Sequence, residues 1–111
     1  SHPVDLSNKF EKASRYKGPK LFIAFSPCPP GWSFGSSKSA NVAKLAVQTG
    51  LLPLKEAIHG KVDHTVIPKF KPVEEYLKTQ ERYAHLFEPT KQTDIINTIQ
   101  KDIDDYWKRY L

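Results

Sequence analysis

The segment Ser26-Pro27-Cys28-Pro29-Pro30-Gly31-Trp32 constrains this chain more than any other stretch. Its prolines remove backbone donors and fix φ, so the segment is expected to be neither helix nor central strand. A rigid loop follows. Immediately before it, Leu21-Phe22-Ile23-Ala24-Phe25 is a continuous apolar run between turn signals, the pattern of a strand covered on both faces, as in a parallel sheet. The loop then lies at the carboxyl end of a strand, where open α/β sheets bind their ligands.

The flanking segments extend this α/β grammar. Asp5 is placed to cap a helix carrying Leu6, Phe10 and Ala13, which ends near Tyr16 before Lys17-Gly18-Pro19. After the loop, Ser36 or Ser37 is expected to cap a helix with Val42, Leu45, Ala46 and Val47 on its buried stripe and Gly50 as its stop. Leu54 to Ile58 and Val62 to Ile67 flank His59-Gly60, a hairpin signal. Pro72 opens a further predicted helix with Val73, Tyr76, Leu77, Ala84 and Phe87 on one side. A last helix from about Thr93 to Tyr110 has an apolar stripe of Ile95, Ile96, Ile99, Ile103, Tyr106, Trp107 and Tyr110. That stripe is too large to leave wet. Of the two surfaces that can cover it, this chain's own sheet and a neighbouring subunit or second copy, the second is the expectation.

Length and charge exclude several function classes. A chain of 111 residues allows one domain or a piece of one, and 39% hydrophobic with 26% charged residues is an ordinary globular balance. The net charge of +5 arises in the first 67 residues, where nine Lys and Arg face four Asp and Glu. Those lysines are scattered among apolar residues, which describes a solvated surface and not a nucleic-acid interface. The lone cysteine forbids an internal disulfide, and no apolar run approaches the roughly 20 residues needed to cross a bilayer. A cytoplasmic setting with neither membrane nor nucleic-acid partner is the expectation.

Cys28 is the residue with the most chemical scope. A free cysteine is most often a small buried hydrophobe. A cluster or metal ligand shared with another segment ranks second, and a nucleophile third, because no sequence feature sets His2, His59, His64 or His85 beside it. His59 and His64 lack a third ligand, so turn and surface positions suit them better than a zinc site. Asp102, Asp104 and Asp105 occupy the polar face of the last helix. Gly31 and Gly35 precede a helix but miss the Gly-Lys-Ser/Thr of a phosphate loop.

Three stretches together resemble one family. Gly18-Pro19 running through the apolar segment into the Pro-Cys-Pro-Pro-Gly-Trp loop is the first. Leu45-Ala46-Val47-Gln48-Thr49-Gly50 with Pro53-Leu54 is the second, and Lys71 to Leu86 (KPVEEYLKTQERYAHL) the third. In order and spacing they are similar to the end of the β subunit of pyruvate and branched-chain 2-oxoacid:ferredoxin oxidoreductases. The similarity is expected to cover about residues 1 to 87, with Glu88 to Leu111 departing from the pattern.

The resemblance implies the C-terminal portion of a doubly wound thiamine-diphosphate-binding α/β domain, followed by a β-hairpin and two C-terminal helices. Its divisions would be residues 1–52 for the end of the cofactor domain, 53–89 for hairpin and helix, and 90–111 for an added amphipathic helix. By resemblance, Cys28 matches the last of four cysteines that hold a [4Fe-4S] cluster, and Trp32 shields that cluster from water. The other three cysteines, and the ligands of thiamine diphosphate and Mg2+, lie upstream in the family. The implied partners are the N-terminal part of the same subunit or a split partner chain, the other subunits, and ferredoxin. The implied reaction is oxidative decarboxylation of a 2-oxoacid to an acyl-coenzyme A, which these 111 residues alone cannot perform. A contrasting expectation is a small interaction module that docks through its last helix.

Overall fold

The computed structural model describes residues 1–111. Helix α1 (Pro3–Ser14) is followed by an extended stretch, a one-turn helix α2 (Pro29–Trp32), a 3-10 turn (Ser36–Lys38) and helix α3 (Ser39–Gln48). Strands β1 (Lys55–Ile58) and β2 (Lys61–His64) form the hairpin, and then come α4 (Val73–Leu77), a 3-10 segment (Glu81–Leu86) and α5 (Thr93–Lys108). The architecture mixes helices with a two-stranded antiparallel sheet.

The hairpin forms where its turn chemistry places it. His59 and Gly60 both take positive φ, 51° and 79°, as a primed two-residue turn requires. Ile58 pairs with Lys61 and Lys55 with His64. Helix α1 starts one turn earlier than Asp5 suggests, because Pro3 supplies a preformed first helical position. Asp5 sits in the first turn and pairs with Lys9 instead of capping. Ser36 and Ser37 likewise do not cap α3. They form the 3-10 turn, where the Ser39 hydroxyl donates to the Ser36 carbonyl at 2.8 Å.

Two expectations are corrected outright. Leu21–Phe25 is not a buried strand: Leu21 is 84% and Ile23 91% exposed, and none of the five takes part in a backbone–backbone hydrogen bond. A parallel strand needs neighbours, and the two strands present pair only with each other. The helix expected from Pro72 to Phe87 stops at Leu77, since the Thr79 hydroxyl and the Gln80 amide both donate to the Tyr76 carbonyl, at 2.7 and 3.1 Å. Side chains thus take a carbonyl that a continuing helix would use. Gln80 turns extended, and Ala84 ends up exposed.

The core lies wholly in the later part of the chain. No residue before Val42 is buried. Val42 and Ala46 of α3, Val73, Tyr76 and Leu77 of α4, Leu86, and Ile96, Ile103 and Trp107 of α5 form one cluster. Ile96, Ile103 and Trp107 of the α5 stripe thus pack on this chain itself, with Ile99 and Tyr106 partly buried against the same core, while Ile95 and Tyr110 stay exposed. The radius of gyration, 15.9 Å, exceeds the about 13 Å of a compact domain of this length because the early segments stand away from that core. No helix is long and apolar enough to cross a membrane.

Gly50 joins α3 to α5. Its φ is +82°, its carbonyl accepts the Trp107 indole N–H at 2.9 Å, and a Cβ there would lie 2.8 Å from that nitrogen and 3.2 Å from Ile103. Gly50→Ala therefore meets backbone strain and a clash together. Urea unfolding is expected to show a loss of about 2–5 kcal/mol; a loss below about 1 kcal/mol would mean that the helices separate without cost.

Candidate functional site

Pro29 and Pro30 take the first two positions of α2, where a missing N–H costs nothing, so the loop ends in one helical turn instead of staying irregular. The Trp32 N–H donates to the Cys28 carbonyl at 2.9 Å and the Phe34 N–H to the Pro29 carbonyl at 3.1 Å. Ser33, at φ 58°, closes the turn in the left-handed region. Cys28 is the extended residue just before the helix, and its sulfur lies over Gly31, where a Cβ would come within 3.0 Å of Sγ. Glycine leaves that space to the sulfur.

The thiol is exposed. This corrects the first-ranked reading of Cys28 as a buried hydrophobe: Trp32 turns toward the core while the cysteine at the other end of the turn stays in solvent. No histidine hydrogen-bonds the thiol. His2 contacts Ser1, His59 contacts Tyr16 at 3.3 Å, and His64 contacts Tyr106 at 2.7 Å. The chain places no group of three or more His, Cys, Asp or Glu side chains to hold a metal ion.

An aromatic and cationic network supports the turn from outside it. Phe25 and Phe34 contact the Trp32 ring at centroid distances of 5.4 and 6.3 Å. Arg82 lies over the same ring, 4.0 Å from its centroid. Sequence spacing gives no hint of Arg82, which comes from the distant 3-10 segment; its only signal is membership of the third resembling stretch.

The two hairpin histidines diverge. His59 occupies the turn, whereas His64 packs against the rings of Trp107 and Tyr110, each at 4.7 Å between centroids. The Tyr106 hydroxyl also accepts a bond from Lys55 at 3.1 Å. Asp104 and Asp105 pair along α5 with Gln100 and with Lys101 and Lys108, as surface carboxylates.

No family model matches the chain. Among curated proteins, the pyruvate synthase subunit PorB of Thermotoga maritima is 38% identical over 112 residues, covering 100% of this chain and 35% of its own length. The corresponding subunit of Methanocaldococcus jannaschii is 41% identical over 109 residues, covering 97% of this chain and 35% of that protein. The ketoisovalerate oxidoreductase subunit VorB of Pyrococcus furiosus is 39% identical over 112 residues, with 98% and 34% covered. The chain is homologous to the C-terminal part of these β subunits. It spans about a third of their length. The Thermotoga alignment runs through α5, so the similarity does not stop near residue 87 as the motifs suggest.

His64 gives this region a pH dependence. Burial, and then the charge of Lys55, hold its imidazole below the ordinary value of 6.5, against a smaller opposing pull from Asp63. A lowered folded value means that the unfolded chain binds the proton more tightly. The contribution of the neutral ring is therefore complete above the unfolded value and is lost as pH falls through the folded one. Between about pH 7 and pH 5, wild type is expected to lose more thermal stability than His64→Gln. Parallel curves for the two proteins would exclude His64 as the cause.

Proposed function

We propose that the chain acts as the C-terminal part of the β subunit of a 2-oxoacid:ferredoxin oxidoreductase and presents Cys28 as one of four ligands to a [4Fe-4S] cluster. The observation that carries this reading is an exposed thiol on a turn fixed by prolines and backbone bonds. Such a turn loses little entropy when its sulfur binds iron. When bound in the complete enzyme, thiamine diphosphate with Mg2+ supplies the decarboxylation of pyruvate or a related 2-oxoacid, and the cluster passes electrons singly toward ferredoxin.

This chain's own part is positional. Gly31 leaves room for Sγ, Trp32 is held in contact with Phe25 and Phe34, and the carbonyl of Cys28 accepts the Trp32 N–H. The exposed run Leu21–Phe25 is read as the end of the cofactor domain, residues 1–52, whose sheet neighbours belong to the rest of the subunit or to a split partner chain. The rival reading, a small module docking through its last helix, loses support because Ile96, Ile103 and Trp107 already face this chain's own core.

Two measurements test the reading. Reconstituted anaerobically with iron and sulfide, the chain alone is expected to hold no stoichiometric four-iron cluster, since four thiolates are normally required. One cluster per monomer would contradict the shared-ligand assignment. In the complete enzyme, Cys28→Ser is expected to depress electron transfer to ferredoxin far more than binding of thiamine diphosphate, because serine offers iron a harder oxygen. Wild-type activity with an unaltered EPR signal would remove Cys28 from the ligand set.

A further inference from the structure

Arg82 ties the Cys28 turn to a separate element. Its guanidinium lies against two rings, 4.0 Å from the centroid of Trp32 and 4.6 Å from that of Tyr83. Its Nε donates to the Gln80 Oε1 at 2.7 Å, and a terminal nitrogen donates to the Tyr76 hydroxyl at 3.2 Å. Both acceptors are fixed, for Tyr76 is 1% and Gln80 2% exposed, and the Gln80 amide is itself bonded to the Tyr76 carbonyl. A planar fork that stacks on an aromatic face while making two directional bonds is a role that lysine does not reproduce.

The grip includes backbone as well. Next to Arg82, the Glu81 N–H donates to the carbonyl of Ser33 at 3.0 Å, and Ser33 is the left-handed residue that ends the turn. The ring of Trp32 and the backbone behind it are thus held from one side by one short segment. The bond from the Trp32 N–H to the Cys28 carbonyl passes that restraint to the cysteine.

We infer that Arg82 is the positioning residue of the Cys28 turn, setting its orientation through Trp32 without a bond to the thiol. The importance of this placement to a cluster rests on the proposed reading of Cys28; the placement itself does not. Amide hydrogen exchange on the 111-residue chain, followed by NMR, tests it. In Arg82→Leu the amides of Trp32, Phe34 and Glu81 are expected to exchange about two- to thirtyfold faster, the factor that loss of a cation–π contact implies. The amides of Leu52 and Thr65, bonded to Ala46 and Leu54, keep wild-type rates. Arg82→Lys falls between the two and carries the test should Arg82→Leu fail to fold.

Unchanged exchange at Trp32, Phe34 and Glu81 would overturn the inference, as would an equal rise at every amide, which marks a residue of general stability only. The ligand reading fails separately, if Cys28→Ser leaves the cluster's EPR signal in the complete enzyme unaltered. Where Cys28→Ser does alter or abolish that signal, Arg82→Leu is expected to shift the cluster's midpoint potential in an EPR-monitored titration, with thiamine diphosphate binding unchanged. An unshifted potential would overturn the link between the turn's setting and the cluster.

Discussion

The fit of the Trp107 indole against Gly50 is the contact on which the folded unit depends. It brings the last turns of α5 onto the end of α3 through one buried hydrogen bond. The other faces of the indole are occupied by His64 from the hairpin and by Phe70 from the connection into α4, 4.7 and 5.7 Å away between centroids. Removing a buried tryptophan typically costs about 3–5 kcal/mol. Here the loss would reach three elements that share no other aromatic anchor, and a small domain has little stability in reserve.

What could be read from sequence divides along a physical line. The hairpin, α3 with its glycine stop, and the amphipathic α5 were legible because turn chemistry and 3.6-residue periodicity are local properties. Leu21–Phe25 satisfies the local pattern of a buried strand, yet a strand exists only with a neighbour, and that condition is not local. The break after Leu77 escaped because periodicity does not register side chains that bond back to a carbonyl. At the site, the prolines correctly marked an ordered turn around Cys28 but concealed its single helical turn, since proline breaks a helix interior and suits its first positions. Arg82 was invisible for the same reason as the missing strand partners: its role arises from contacts far apart in the chain.

Electrostatics has a smaller part in holding the molecule together. Most of the ion pairs link residues three or four apart in sequence, where each contributes a few tenths of a kcal/mol. Helix α1 is joined to the hairpin chiefly by polar contacts, Lys12 to Glu56 at 2.6 Å, Lys9 to Thr65 at 2.7 Å and Tyr16 to His59. With no residue buried, α1 is secured far less firmly than α3 or α5.

The uncovered run Leu21–Phe25 also bears on self-association. Five consecutive apolar residues without a charge, with backbone donors and acceptors free of backbone partners, form a template onto which an identical segment can pair. The chain brackets that template with Lys17, Pro19 and Lys20 on one side and Pro27, Pro29 and Pro30 on the other. Charge repels a second copy in register, and proline withholds the hydrogen bonds that would extend a ladder. The prolines that stiffen the cysteine turn therefore also act as gatekeepers against amyloid-like stacking.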